Sequence, residues 1–341
     1  MEELKSIGKS GVFVIGELSA NHNGNFDLAV KTIEALAKAG ADAVKVQTFK
    51  PESLTLNLRS GHFAPKTDGL WRGYTPWELY SEAAMPYEWQ PKLKEIAEQL
   101  GLVFFSSPFD FEAVDFLESI GNPIYKIASF EITDIPLIRY AAAKGKPMII
   151  STGVAEIEDI ELALKACRDV GNNDITLLKC TSQYPATIEQ ANLKTMSDLK
   201  QRFTVNVGVS DHTMGSLVPV VAVALGATVV EKHFILNRNL GGVDSTFSME
   251  PDEFKEMVIT VRNVEMSLGN IDYEVNNADR NRRRSLFVVK EMKRGEEFTM
   301  DNVRSLRPGV GLLPKHLESV IGCVATKDIK IGTPVDWDLL R

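Results

Sequence analysis

The sequence predicts an α/β protein in which a (β/α)8 TIM barrel is followed by a small β-rich domain. Eight short apolar segments alternate with amphipathic helical patterns over most of the 341 residues. The segments are continuously apolar, which is typical of parallel strands buried on both faces. Past residue 270 the pattern changes to short strands and glycine turns. We therefore expect a catalytic barrel over residues 1–275, a linker over 276–284 and the small domain over 285–341.

The predicted strands are spaced as in βα units. Helical patterns lie between them, for example at residues 26–40, 111–121 and 157–171, and each of these ends in glycine, which is favoured just past a helix C-terminus. The first strand is followed by ELSANHNGN rather than by a GxGxxG nucleotide fingerprint. The predicted strands cover residues 11–18, 43–49, 102–108, 124–129, 148–153, 175–181, 205–211 and 229–234.

Composition narrows the classes of partner. A formal net charge of −8 leaves no overall positive field for nucleic acid or an anionic membrane. Cys167, Cys180 and Cys323 show no close pair and no metal-type spacing, so we expect reduced thiols in a cytoplasmic protein. The opening MEELKSIGKS lacks a signal-peptide core, and the apolar stretch VPVVAVALGATVV is too short to span a bilayer. We expect a small-molecule partner, with no nucleic acid and no membrane.

Every predicted strand ends in polar residues. In parallel barrels the reactive groups lie where the strands meet the loops that follow them, so these residues converge on one rim. A single serine or threonine there is commonly a helix cap, and a single histidine can be a buried structural residue. Eight polar ends together predict an active site. They are Glu17, Lys45 with Gln47, Ser106 with Ser107, Lys126 with Ser129, Ser151 with Thr152, Thr181 with Ser182, Ser210 to His212, and Glu231 to His233.

Two features of this rim point to specific chemistry. Lys45 and Lys126 lie in apolar strands, where an unpaired charge is costly, so we expect them to face an anion. His212 and His233 end consecutive strands, in GVSDHT and VVEKHF, and imidazoles on neighbouring strands can share a divalent ion. Two histidines leave coordination positions open, as in a catalytic Lewis-acid site. Mn²⁺ is the favoured ion, with Mg²⁺ or Co²⁺ as alternatives.

The C-terminal region contains two similar phrases, VVKEMKRGEEFTMDNV and ATKDIKIGTPVDWDLL. Their shared K-x-[IM]-K-x-G pattern predicts a pseudo-repeat within one compact β-rich domain. The arginines of DRNRRRS precede it and are interpreted as a solvated hinge rather than a nucleic-acid patch.

Eight phrases, in order along nearly the whole chain, give the sequence a family resemblance. They are GELSANHNGN, AVKVQTF, YKIASFE, ISTG, LLKCTSQYP, GVSDHT, EKHF and SLRPGVGL. The sequence resembles the sialic acid synthase family, whose members join a (β/α)8 barrel to an antifreeze-like (SAF) domain. They condense phosphoenolpyruvate with an N-acylated amino sugar to give a nonulosonic acid and phosphate. The resemblance also implies a domain-swapped homodimer in which each small domain covers the partner's barrel mouth.

The resemblance implies a role for most of the polar strand ends. Glu17 matches the family's catalytic carboxylate, which stabilises positive charge and orients the water that adds to carbon. Phosphoenolpyruvate is strongly anionic and needs cations and hydrogen-bond donors. The family pattern assigns its pocket to Lys45, Ser107, Lys126, Ser129, Ser151 and Ser210.

The implied sugar site is spread over several loops. Ser182, Gln183 and Tyr184 lie in the sixth loop, Asp244 matches a carboxylate that contacts sugar hydroxyls, and Arg307 matches an arginine that reaches the N-acyl group. The neuraminate branch usually has histidine after that aspartate, whereas this chain has serine, which argues against N-acetylmannosamine. Residues 70–89 are most similar to the branch that makes pseudaminic acid from 2,4-diacetamido-2,4,6-trideoxy-L-altrose.

Other functions stay open at the level of sequence. An N-acetylneuraminate or legionaminate synthase would use the same fold and metal. A lysine aldolase would use Lys126 or Lys45 as a Schiff base. A non-catalytic carbohydrate- or ice-binding protein is suggested by the antifreeze-like region alone, but its charged KDIK and EMKR turns make a poor flat apolar surface.

Overall fold

The computed structural model describes residues 11–341 and confirms the predicted fold class. Eight parallel strands close into a barrel in chain order, and β8 pairs back onto β1. Every strand lies within its predicted segment. The strands are β1 (Phe13–Glu17), β2 (Ala43–Thr48), β3 (Val103–Pro108), β4 (Tyr125–Ile127), β5 (Met148–Ser151), β6 (Ile175–Cys180), β7 (Asn206–Asp211) and β8 (Val229–His233).

Helices follow the strands along the chain. The loop after β2 is long and contributes two short helices, α2 and α3, before α4. The helices are α1 (Phe26–Lys38), α2 (Pro51–Leu54), α3 (Pro76–Ala83), α4 (Gln90–Gln99), α5 (Phe111–Ser119), α6 (Ile135–Ala142), α7 (Ile157–Asp169), α8 (Lys194–Phe203), α9 (Leu217–Ala224) and α10 (Pro251–Leu268).

The first βα unit illustrates how the sequence specifies the barrel. The Asn25 side chain accepts a hydrogen bond from Leu28 N and caps α1. One face of α1, including Ile33 and Leu36, is buried against the barrel. Gly16 in β1 is required for this packing, because a Cβ atom there would lie 2.2 Å from Leu36 Cδ1.

The interior of the barrel contains two layers defined by the alternation of side chains along each strand, and Phe13 and Val103 pack against the lower one. The lower layer is apolar and contains Ile15, Ala43, Phe105, Ile124, Ile149, Leu178 and Val229. The residue two positions later on each of those strands forms the upper layer. The upper layer contains Glu17, Lys45, Ser107, Lys126, Ser151, Cys180 and Glu231. The alternation therefore places the polar groups of seven strands at one level.

The chain divides into two compact units, one ending at Gly269 and one spanning Asn270–Arg341. The division predicted after residue 275, with its linker, stays a prediction. In the second unit β9 (Ser285–Val288) pairs antiparallel with β10 (Val303–Leu306). Its two short helices are α11 (Asn277–Asn281) and α12 (Leu317–Val320).

The two similar phrases of the second unit pair with each other. Met292 and Ile329 occupy equivalent positions and exchange backbone hydrogen bonds of 2.9 and 2.8 Å. Phe298 and Val335 add buried side chains to the small core. Across both units, none of the helices between residues 11 and 341 combines the length and the apolar character needed to cross a lipid bilayer.

Candidate active site

A cavity of about 430 Å³ lies at the C-terminal ends of the barrel strands. Its base is the upper layer, and its walls come from the loops after β2, β3, β4, β6 and β8. The polar residues that line it are Glu17, Ser19, Lys45, Gln47, Lys66, Lys126, Ser129, Glu131, Ser151, Ser210, Glu231 and Asp244, with Cys180, Tyr184, His212 and His233.

The base contains two buried lysines and two buried carboxylates. Lys45 Nζ lies 2.5 Å from Glu17 Oε1, and Lys126 Nζ lies 2.6 Å from Glu231 Oε1. The two pairs are linked, because Lys45 Nζ is also 4.0 Å from Glu231 Oε2. Ser210 Oγ donates to Glu231 and Gln47 Nε2 donates to Glu17. Charges of both signs are therefore balanced among the four side chains.

This pairing keeps the base ionised. Burial opposes the charged form of Glu17, but the charge and hydrogen bond of Lys45, with the charge of Lys126, hold its pKa well below the usual range. Burial likewise opposes the cation of Lys45, yet Glu17 and Glu231 raise its pKa. The pKa of Glu231 is lowered because Lys126 and Lys45 outweigh its burial. Glu17 is thus an anion, and Lys45 is a cation that does not readily lose its proton.

His212 and His233 lie side by side above this base, with ring centroids 5.2 Å apart. His212 Nδ1 is 2.9 Å from the Thr181 carbonyl oxygen, a contact that favours the tautomer with the lone pair on Nε2. His233 Nε2 lies 3.3 Å from Glu17 Oε2, and His233 Nδ1 lies 3.8 Å from Asp244 Oδ2. Burial lowers the pKa of His233, so its ring is neutral near pH 7.

The donor set fits a divalent ion held by two imidazoles. Residues 11–341 contain no group of three or more histidine, cysteine or carboxylate side chains already arranged around one point. The pair nevertheless offers lone pairs next to an ionised carboxylate, and His233 Nδ1 is buried without a hydrogen-bond partner. Cys180 Sγ lies 4.0 Å from His212 Nδ1. Burial opposes the imidazolium of His212, but the contacts with Cys180 and the Thr181 carbonyl raise its pKa.

Unsatisfied polar atoms are concentrated at this cavity. Nine buried side-chain oxygen or nitrogen atoms in the described part of the chain lack a hydrogen-bond partner, and four belong to residues that line the cavity. These four are Glu131 Oε2, Ser151 Oγ, Glu231 Oε2 and His233 Nδ1. Because buried polar groups are normally paired, the concentration indicates that a polar ligand supplies their partners.

A third buried ion pair lies among the residues next to the histidines. Lys232 Nζ is bonded to Asp211 Oδ2 and to the Thr213 carbonyl oxygen. Asp211 also accepts from the Thr213 amide and hydroxyl at 3.0 and 2.9 Å. The ends of β7 and β8 are therefore fixed to each other beside His212 and His233.

The comparisons with known proteins agree with this geometry. Residues 32–273 match the NeuB family, and residues 283–341 match the SAF domain. A Campylobacter jejuni protein named pseudaminic acid synthase is 47% identical over 94% of this chain and 94% of its own length. The chain belongs to the NeuB family. The predicted resemblance to the sialic acid synthases is thereby confirmed.

Other members of the NeuB family extend the comparison. A Helicobacter pylori pseudaminic acid synthase is 45% identical over 95% of this chain and 96% of its own length. The crystal structure of an N-acetylneuraminic acid (sialic acid) synthetase from Leptospira borgpetersenii, in complex with citrate, has a TM-score of 0.71 and 32% identity. It covers 79% of this chain, which spans 89% of that structure.

Most site residues predicted from the NeuB-type motifs lie together in the cavity wall. Ser107 is buried and contacts Lys45 Nζ at 3.4 Å without lining the cavity. Ser182 Oγ lies 3.7 Å from Cys180 Sγ, behind the wall, and Gln183 is exposed. Arg307 is exposed in the second unit, after β10. The residues that line the cavity as predicted are Glu17, Lys45, Lys126, Ser129, Ser151, Tyr184, Ser210, His212, His233 and Asp244.

The cavity also contains residues for which the sequence predicted no specific role. Glu231 pairs with both lysines, and its position two residues before His233 was the signal for an inward-facing carboxylate. Glu131 lies on a 3₁₀ turn after β4, where no strand pattern applies. Burial, helped by the charge of Asp134, raises the pKa of Glu131 to about 7. Lys66 comes from the long loop after β2, and its contribution to the cavity had no sequence signal.

Aromatic and aliphatic side chains form the outer wall. Trp71 Nε1 donates to the Val243 carbonyl at 2.8 Å, which places the indole beside Tyr184 at a centroid distance of 5.6 Å. Tyr184 in turn contacts the His212 ring at 4.5 Å. The other apolar lining residues are Phe49, Leu54, Leu79, Tyr80, Ala83, Phe109, Ala128, Phe130 and Val243. The cavity therefore combines an ionic base with a largely apolar side.

Proposed function

We propose that this protein is a pseudaminic acid synthase. It condenses phosphoenolpyruvate with 2,4-diacetamido-2,4,6-trideoxy-L-altrose, giving pseudaminic acid and inorganic phosphate. The observation that carries the reaction class is the ionised base of the cavity beneath two adjacent imidazoles. The choice of sugar rests on the 47% identity to the Campylobacter jejuni pseudaminic acid synthase, against 32% to the Leptospira neuraminic acid synthetase.

Phosphoenolpyruvate binds at the base of the cavity. Lys45 and Lys126 supply positive charge, and the unpaired Ser151 Oγ supplies a donor. Ser129 also lines the cavity, and its Oγ accepts from Gly153 N at 3.1 Å. Ser107 and Ser210 hold Lys45 and Glu231 in place. Since the two lysines already pair with carboxylates, the anion shares cations that are fixed before it arrives.

His212 and His233 would hold the divalent ion, Mn²⁺ by preference with Mg²⁺ or Co²⁺ as alternatives. When bound, the ion supplies Lewis-acid polarisation of the open-chain sugar aldehyde. The protein's own part is to keep the two rings oriented. The Thr181 carbonyl fixes the ring of His212, and the Asp211–Lys232 pair fixes the adjoining strand ends.

Glu17 acts on the other reactant. The enol carbon of phosphoenolpyruvate attacks the aldehyde carbon, and positive charge develops on the carbon that bears the phosphate ester. The ionised Glu17 carboxylate stabilises that charge and orients the water that adds to the same carbon. Collapse of the adduct breaks the C–O bond and releases phosphate with the bridging oxygen.

The sugar lies along the outer wall. Asp244 and Tyr184 line this part of the cavity, and Ser182 and Gln183 belong to the same sixth loop. The apolar residues favour a 6-methyl group over a hydroxymethyl group, because a buried hydroxyl without a partner costs about 1–3 kcal/mol. Arg307 completes the sugar site from the small domain of a partner subunit in a domain-swapped homodimer.

A Schiff-base lysine aldolase is less well supported. A lysine that forms a Schiff base must be neutral, whereas Glu17 and Glu231 raise the pKa of Lys45 and Glu231 pairs with Lys126 at 2.6 Å. A non-catalytic carbohydrate-binding protein would gain nothing from four buried charges.

Phosphate release across a panel of sugars tests the proposed function. We expect kcat/KM for the diacetamido sugar to exceed that for N-acetylmannosamine by about a hundredfold, which combines the methyl and the second amide. Equal use of both sugars, or preference for N-acetylmannosamine, would assign the chain to the neuraminate branch.

A further inference from the structure

Lys66 occupies an unusual position in the cavity wall. It belongs to the long loop between β2 and α4, and its ammonium lies 4.7 Å from the centroid of the Trp71 ring. Two backbone hydrogen bonds hold the loop closed, from Lys66 N to the Tyr74 carbonyl at 2.8 Å and from Gly73 N to the Lys66 carbonyl at 2.9 Å. The ammonium is therefore held on the indole face by a defined loop.

This cation has no anionic partner in the described chain. The other two lysines of the cavity pair with Glu17 and Glu231, whereas Lys66 lies within 4.0 Å of no carboxylate in residues 11–341. Burial lowers its pKa, and only the more distant Asp68 opposes that effect. The partly buried ammonium has three donors, and no acceptor atom within residues 11–341 forms a hydrogen bond with it. A ligand in the cavity can supply such acceptors.

The position of Lys66 indicates which ligand group that is. Trp71, Tyr184, His212 and His233 form a continuous row of rings, with neighbouring centroids 5.6, 4.5 and 5.2 Å apart. Lys66 lies on the ring at one end of this row, and the metal-binding histidines lie at the other. A sugar whose aldehyde carbon is at the histidines extends along the row, so its distal substituents face Lys66.

We propose that Lys66 Nζ donates a hydrogen bond to the carbonyl oxygen of the sugar's 4-acetamido group and thereby determines specificity for diacetamido sugars. The inference rests on the proposed function. The 2-acetamido group is bonded next to the aldehyde carbon and stays near the histidines, whereas the 4-acetamido group is two carbons farther along the chain. An amide carbonyl is the strongest neutral acceptor that such a sugar offers there. A hydrogen bond from a charged donor is stronger than one between neutral groups.

Replacement of Lys66 by methionine tests the assignment. Lys66→Met keeps an apolar stem on Trp71 and removes the ammonium. With the diacetamido sugar, we expect kcat/KM to fall about ten- to a hundredfold, mainly through KM, as for loss of a charged hydrogen bond. With the analogue that carries a 4-hydroxyl instead of the 4-acetamido group, kcat/KM changes less than about twofold on the same replacement. KM for phosphoenolpyruvate stays unchanged, and Lys66→Arg retains part of the preference.

Lys50→Met is the matched control. Lys50 also lies over an aromatic ring, 5.4 Å from the Tyr87 centroid, but it pairs with Glu112 and does not line the cavity. Its replacement leaves kcat/KM for both sugars unchanged, and thermal melting confirms that both variants fold.

Three results would overturn the inference. An equal loss for both sugars would mean that Lys66 only supports the loop. A raised KM for phosphoenolpyruvate would mean that it binds the phosphate, and an unchanged kcat/KM for both sugars would mean that it binds neither group. The proposed function is tested separately, by the sugar preference of the unmodified enzyme. If that enzyme does not prefer the diacetamido sugar, the proposed substrate fails together with the role of Lys66. If it does and Lys66→Met keeps the preference, only the role of Lys66 fails.

Discussion

The lower and upper layers of the barrel interior come from the same strands, two residues apart, and have opposite chemistry. Ile15 and Val229 pack in the lower layer, whereas Glu17 and Glu231 occupy the corresponding positions of the upper layer. The lower layer is an apolar core. The upper layer contains buried charges, and burial of two ion pairs generally costs more free energy than an apolar core of the same volume. The upper layer therefore reflects chemistry, and the lower layer provides stability.

Loss of the histidines should have the largest effect on activity. His212→Ala or His233→Ala removes one of the two imidazoles, and we expect kcat/KM to fall roughly a thousandfold, equivalent to about 4 kcal/mol of Lewis-acid stabilisation. A chelator should have the same effect on the unmodified enzyme, and Mn²⁺ should reverse it. Mn²⁺ binding followed by electron paramagnetic resonance should weaken in both variants.

Denaturant unfolding supplies the control, because replacement of the two histidines above the upper layer should change the free energy of unfolding far less than the activity. Full activity in excess chelator, with the metal content measured as nil, would refute the metal assignment.

A replacement in the lower layer should do the reverse. Phe105 is fully buried between neighbouring strands, so Phe105→Ala should reduce the free energy of unfolding by about 3–5 kcal/mol. Urea titration measures this loss. The folded fraction should retain kcat within a few-fold of the unmodified enzyme, since Phe105 does not line the cavity. If kcat instead falls as far as in the histidine variants, the lower layer does more than stabilise the fold, and the assignment of separate roles to the two layers is wrong.

The sequence could predict the layers but not the pairing within the upper layer. Continuous apolar runs identified every strand, and polar strand ends identified the rim, because both features depend on local alternation. Lys126 and Glu231 lie on β4 and β8 and meet across the barrel, whereas Lys45 and Glu17 meet because β1 and β2 pair in one particular register. Neither the crossing nor the register is visible in a local pattern. Lys66 could not be predicted, because the loop that carries it follows no periodic pattern.

The fourth strand marks the same limit at the backbone level. The predicted segment 124–129 contracts to Tyr125–Ile127, because Ser129 begins a 3₁₀ turn that brings Glu131 to the cavity. A turn of three residues has no hydrophobic period by which the sequence could reveal it.

Glu131 should give a smaller, pH-dependent effect. The pKa of Glu131 is about 7 in the folded protein and near 4.5 in the unfolded chain. Between pH 4.5 and 7 the folded state therefore binds one more proton than the unfolded state. The resulting contribution to the free energy of unfolding is complete below pH 4.5. It falls by up to about 3 kcal/mol as the pH rises through 7. Glu131→Gln should remove this part of the pH dependence. Denaturant titrations from pH 5 to 8 measure it, and parallel curves for the two proteins would show that Glu131 titrates normally.

Exchange of subunits between two impaired variants should restore part of the activity. It tests whether the upper layer works together with a residue from a second chain. Glu17→Ala and Arg307→Ala proteins should each be inactive or strongly impaired. In a heterodimer with swapped small domains, one of the two sites has both groups intact, so about half of the activity of that dimer should return. No recovery in heterodimers isolated by differential tags would mean that Arg307 serves its own barrel.

The fate of the bridging oxygen tests most directly whether the upper layer performs the proposed condensation. Phosphoenolpyruvate labelled with ¹⁸O at the bridging position is turned over with the diacetamido sugar, and the released phosphate is analysed by mass spectrometry. Water activated beside Glu17 adds to carbon, so the account predicts phosphate that carries the label. Unlabelled phosphate would mean that water attacks phosphorus, which would contradict the role of Glu17 and of the charged base around it.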